Sequence, residues 1–156
     1  MFGIGARVCL SLSLAMVAVC GARADEPSSI GPLRAKFPHG IPWHVEFSDS
    51  AGKSLGAIDM LITAENGSSC LGGMNPDGLR VEFVRKDNLS PSLSTTSYGV
   101  AKFTGDKIRI DLTGGLCDAY RVMDGQVAAD GSSTGNVVGF GMRYSKDLAT
   151  YRASIR

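Results

Sequence analysis

The chain has 156 residues, with 16 lysines and arginines, 15 acids, two histidines and a formal net charge of +1. Near-neutral charge and the lack of a basic run leave no electrostatic footprint for nucleic acid. Hydrophobic residues at 44% support one packed domain, and no stretch after the first 24 residues is long and apolar enough for a membrane-spanning helix.

The opening segment MFGIGARVCLSLSLAMVAVCGARA carries one early charge, Arg7, an uncharged run from Val8 to Ala22 and the small-residue pattern Ala22-Arg23-Ala24. This is the plan of a secretory signal peptide, with cleavage expected after Ala24 and export to a periplasm or the extracellular medium. A lipid anchor at Cys20 is the rival reading of VAVC, disfavoured because bulky Val19 stands where a small residue is wanted.

Removal of residues 1–24 leaves 14 basic against 15 acidic residues and two cysteines, Cys70 and Cys117. In an oxidising compartment an even pair reads as one disulfide. Closing a loop of this length contributes at most ~4 kcal/mol. A reactive thiolate needs a neighbouring cation, and Cys117 is followed instead by Asp118.

Residues 25–42 hold four prolines and little periodicity, so an extended lead-in is expected. From Trp43 apolar residues recur at every second position. The runs are Trp43-Val45-Phe47, Ile58-Met60-Ile62-Ala64, Leu79-Val81-Phe83 and Ile108-Ile110-Leu112, followed by strand-like Tyr120-Val122, Val127-Ala129, Val138-Tyr144 and Tyr151-Ile155. A period of two puts one face in a core and the other in water.

FTGDKI, MDGQ, ADGSSTG and RYSKDLATY read as reversals, MDGQ as a two-residue Asp124-Gly125 hairpin. No helical crossover separates the runs, which excludes a parallel sheet. The expected fold is therefore all-β. A single domain over residues 43–156 forms a small antiparallel meander of about eight strands, closing into a barrel or stacking as a two-layer sandwich. Cys70 follows the second strand and Cys117 the fifth, so their bond is expected to staple connections at related ends of the sheet.

The chemistry-bearing residues are few. GSSTG formally matches a nucleophile elbow at Ser133, but strand-like NVVGFGM follows it and both histidines lie upstream, so an ordinary turn is expected. His44 and Glu46 share one face of a strand, a possible start to a zinc or acid/base site that lacks a third ligand. A solvated outer face is the plainer expectation. Asp77 and Asp130 lack calcium-loop spacing and read as turn residues. Asn66 and Asn88 begin Asn-x-Ser sequons, relevant only in a eukaryotic secretory pathway. NLSPSLSTTS, residues 88–97, reads as a solvated loop or an adaptable contact loop.

These residues imply no catalytic group, no metal and no cofactor. The expected function is that of an exported, non-enzymatic binding protein of inhibitor or immunity type. It engages a protein partner through loops of a disulfide-stapled β domain, with His44, Glu46 and Asp118 as the candidate surface. The alternative is a lipocalin-like carrier of a small apolar ligand. A hydrolase or metal-dependent enzyme using His44 and Glu46 ranks third.

Overall fold

Period-two alternation gives most of the strands an apolar face, and the inward faces of eight strands make one core. The computed structural model describes residues 30–68, 78–117, 119–141 and 144–156. Within them lie β1 (Ile41–Ser48), β2 (Ser54–Gly67), β3 (Gly78–Asp87), β4 (Tyr98–Thr104), β5 (Lys107–Asp111), β6 (Ala119–Val127), β7 (Ser133–Gly141) and β8 (Tyr144–Ile155). Each strand pairs antiparallel with the next, and β8 returns to pair with β1 from Trp43↔Ile155 to Ser48↔Thr150, closing a barrel. Of the two expected architectures the barrel is the one formed, and it leaves no free edge between first and last strands. Among the described residues no helix is long and apolar enough to cross a membrane.

Large and small side chains share the interior. Trp43, Phe47, Met60, Met123 and Tyr151 are each at most 4% exposed, and burial of such side chains stabilises the fold by roughly 1.5–3 kcal/mol each. Room for them comes from small residues on neighbouring strands. Gly135 pairs with Tyr151 and Gly125 pairs with Gly135, and a Cβ on Gly125 would lie 2.2 Å from the Tyr151 hydroxyl. Asp124-Gly125 is therefore not the expected hairpin but part of β6, with Gly125 also paired to Ile108 on β5. The local turn signal is outweighed because the glycine serves close packing inside the barrel.

Two of the other reversals hold with adjusted bounds and one does not. FTGDKI turns between β4 and β5 at Gly105, whose φ of +59° suits glycine. ADGSSTG turns before Ser133, where β7 begins, while most of RYSKDLATY lies within β8. Strand β4 escaped alternation because Gly99, Val100 and Ala101 are all buried, on both faces.

The lead-in is not extended throughout. A short helix, α1 (Ile30–Lys36), precedes β1, which starts at Ile41. Pro32 is tolerated because the N–H groups of a first helical turn have no intrahelical partner. Docking stabilises so short a helix: Leu33 is 5% exposed, and Ile30 and Phe37 pack on the core beside it. Leu33 contacts the β6–β7 turn at Gly131, whose carbonyl accepts a hydrogen bond from Trp43 Nε1 at 3.1 Å.

The other end of the barrel is covered by residues 88–97, which are less solvated than expected. A single 3₁₀ turn, Pro91–Leu93, buries Leu93 completely. Cys70 lies outside the described residues. The alternating strand directions put the strand ends Gly67 and Gly78 at the opposite end of the barrel from Asp111 and Ala119, not at the related ends expected, because an odd number of strands lies between them in an up-and-down meander.

Candidate functional site

His44 and Glu46 occupy the outer face of β1 as alternation requires, and register supplies their neighbours. His44 pairs with Asp59 on β2 and with Ser154 on β8. On the far side of Asp59 the β2–β3 register shifts: Met60 pairs with Phe83 but Asp59 pairs with Arg85. The extra residue, Val84, is squeezed out to 70% exposure, and this bulge brings Arg85 alongside Asp59.

Asp59 is the centre of the resulting cluster, its side chain 11% exposed. His44 Nδ1 lies 2.6 Å from Oδ1. A carboxylate can only accept, so Nδ1 carries the proton and Nε2 faces outward. Arg85 Nε lies 3.5 Å from Oδ2, and the Arg156 guanidinium donates to the same oxygen. Arg156 also ties its backbone N–H to the Pro42 carbonyl at 3.1 Å. The hydrogen bond from His44 is the largest cause holding the Asp59 carboxyl below its ordinary value; burial opposes it, and the charges of Arg156, His44 and Arg85 add to it. Glu46 Oε1 sits 3.9 Å from His44 Nε2.

The plain expectation of a solvated face thus holds for Glu46 but not for the whole face, since His44 is one arm of a partly buried ion network. Chemically the network orients an imidazole on the outer face of β1. His44 lines neither of the two outer-wall grooves. Among the described residues no group of three or more His, Cys, Asp or Glu is placed to hold a metal ion.

The remaining candidates separate cleanly. Ser133 is buried with its hydroxyl 3.0 Å from that of Tyr151, a core polar pair at the start of β7. Burial pushes the Tyr151 phenol up, partly countered by Ser133. Asp130 closes its turn by accepting from the Ser132 N–H at 2.9 Å and hydroxyl at 2.7 Å, bonds that lower its carboxyl pKa. Asp77 and Asp118 lie outside the described residues. Cys117 is exposed in the β5–β6 connection, its carbonyl accepting from the Tyr120 hydroxyl at 2.7 Å. Asn66 and Asn88 are both exposed.

Two shallow grooves mark the outside of the wall. One, of about 620 Å³, crosses β4, β5 and β6 and is lined by Lys102, Thr104, Lys107, Arg109, Asp124 and Gln126. The other, of about 530 Å³, crosses β7, β8 and β1 between Glu46, Asn136, Thr150 and Arg152. In the first, Arg109 grips Asp124 with two parallel bonds, Nε to Oδ1 at 2.7 Å and Nη2 to Oδ2 at 2.9 Å, which raises the Arg109 pKa further. Sequence reading missed these residues because cross-strand register is invisible to alternation.

A neighbouring outward row behaves differently. Val100 and Val122 each pair with Asp111 between them and all three are buried, although they share the outer parity of exposed Lys102 and Arg109. Asp111 Oδ1 accepts from the Thr113 N–H and hydroxyl, both at 2.9 Å.

No protein-family model, curated protein or solved structure matches the chain.

Proposed function

We propose that the chain is an exported, non-enzymatic binding protein that engages a protein partner through its outer surface, in an inhibitor- or immunity-type role. One observation carries this reading: the barrel interior is filled by its own side chains. Trp43, Phe47, Met60, Met123 and Tyr151 occupy the lumen, α1 covers one end, and buried Leu93 covers the other. A barrel shape is compatible with a carrier as well as a binding protein. A carrier, however, needs interior space for its ligand, and the filled lumen favours the partner-binding reading.

The proposal includes a Cys70–Cys117 disulfide. Cys117 is not without a partner, and an even pair of cysteines in an oxidising compartment supports Cys70 as that partner. Such a link would tie the β2–β3 connection to the β5–β6 connection, which suits a rigid binding surface.

The test is native mass spectrometry of the exported protein, followed by affinity capture from the same compartment and calorimetric titration of the captured partner. The expected result is a chain cleaved after Ala24, without adduct, and a saturable one-to-one isotherm. A stoichiometric lipid adduct would overturn the reading in favour of a carrier.

A further inference from the structure

We propose that the groove across β4, β5 and β6 is the docking face for an extended acidic peptide segment of the partner, with carboxylates at alternate positions; this rests on the partner-binding reading above. The argument starts from register. Lys102 on β4 is directly opposite Arg109 on β5, and Thr104 is opposite Lys107. Three cations therefore project from four adjacent outward positions, an arrangement of like charges that destabilises a sheet unless an anion answers it.

Asp124 answers only Arg109, because both of its oxygens are already held by that guanidinium. Among the described residues Lys102 and Lys107 make no ion pair. The nearby acids do not change this. Asp106 is at the exposed tip of the β4–β5 turn without an ion pair to either lysine, and Asp111 is buried and turned toward Thr113. The groove thus presents two unanswered ammonium groups flanked by the exposed hydrogen-bonding side chains of Thr104 and Gln126.

Spacing then selects the ligand. Lys102 and Lys107 are diagonal cross-strand neighbours, roughly 7–8 Å apart at their backbones. Alternate residues of an extended peptide point to one side and are about 6.6 Å apart. Acidic residues at i and i+2 of such a segment meet both lysines, whereas adjacent acids point to opposite sides and meet only one. Two lysines are few for a nucleic acid or sulfated glycan, which draw on long tracks of cations.

The experiment uses the exported protein and a fluorescein-labelled peptide, Gly-Ser-Glu-Ser-Glu-Ser-Gly, with the isomer Gly-Ser-Glu-Glu-Ser-Ser-Gly as control, read by fluorescence anisotropy and amide chemical shifts. The alternate-acid peptide is expected to bind more tightly than its isomer and to shift amides of β4 and β5. Lys102→Gln and Lys107→Gln should each weaken it roughly two- to five-fold, while Lys53→Gln, in the distant β1–β2 turn, leaves it unchanged. Equal binding of both peptides, or affinity indifferent to Lys102→Gln and Lys107→Gln, overturns the proposal. Tighter binding of a single-stranded DNA dodecamer than of the peptide overturns it too, by marking a general polyanion surface. The captured partner separates this proposal from the reading beneath it. If the Lys102→Gln/Lys107→Gln double variant retains that partner at unchanged affinity, the docking face is wrong and partner binding stands. If the native chain captures none, both fail.

Discussion

Replacing Gly125 by alanine places a methyl group 2.2 Å from the Tyr151 hydroxyl and 2.3 Å from the Thr134 carbonyl oxygen. The hydroxyl can retreat only by abandoning Ser133, 3.0 Å away, and the carbonyl belongs to β7, whose Thr134 pairs with Gln126 on β6. Gly125 does not have a positive φ, so the cost is overpacking rather than backbone strain. Overpacking costs typically 1–3 kcal/mol. Contact with backbone puts Gly125→Ala at the upper end, about 3 kcal/mol, or a fall in Tm of roughly 10 °C for a chain of this size. Urea and thermal unfolding followed by Trp43 fluorescence measure it, with Tyr151→Phe and the double variant completing a cycle. Removing the hydroxyl relieves one of the two contacts, so the double variant should be less destabilised than the sum by about 1 kcal/mol. Strict additivity, or a Gly125→Ala midpoint within about 2 °C of the parent, would show that Tyr151 does not pack over Gly125 and would reopen the hairpin reading of Asp124-Gly125.

Four further outcomes are expected. The Asp59 carboxyl is held below its ordinary 3.8, so the stability it contributes is complete above that value and is lost as falling pH protonates the folded carboxylate. Urea midpoints measured from about pH 5 to about pH 2.5 should therefore drop more steeply for the native chain than for Asp59→Asn, and parallel curves would remove Asp59 from the acid response. At neutral pH Asp59→Asn should cost only ~1–2 kcal/mol, because Arg85 and Arg156 are more than half exposed and solvent screens them. Leu93→Ala should lower stability by ~3 kcal/mol through the cavity it leaves; a loss under about 0.5 kcal/mol would mean that the 3₁₀ turn does not plug the barrel. Iodoacetamide under denaturing, non-reducing conditions should leave Cys70 and Cys117 unlabelled, and two adducts on intact mass would remove the disulfide from the proposal.

The candidate site was legible only in part. Alternation placed His44 and Glu46 on one outward face because side-chain direction in a strand is a local property. It could not bring Arg85 beside Asp59, since that depends on a bulge at Val84 within a pairing of β2 and β3, nor Arg156, which arrives from the far end of the chain. Alternation placed Arg109 on the polar side of its strand, but Lys102 sits on β4, which has no alternation, and their direct opposition and the capture of Asp124 needed the register of three strands. Leu93 was hidden for another reason. One leucine in a Ser- and Thr-rich stretch has no period, and only the open barrel end explains its burial.

By itself the sequence determined the all-β class, the antiparallel order and the inward face of most strands, because those follow from residues two positions apart and from short turns. Tertiary structure decided closure, since pairing Trp43 with Ile155 joins residues at opposite ends of the domain and no local pattern distinguishes a closed barrel from two stacked sheets. It also decided the use of Asp124-Gly125, where the bulk of Tyr151 from a strand two places away outweighs a strong turn signal. Local sterics set which way a side chain points; what it meets there is set by chain segments brought together only when the barrel shuts.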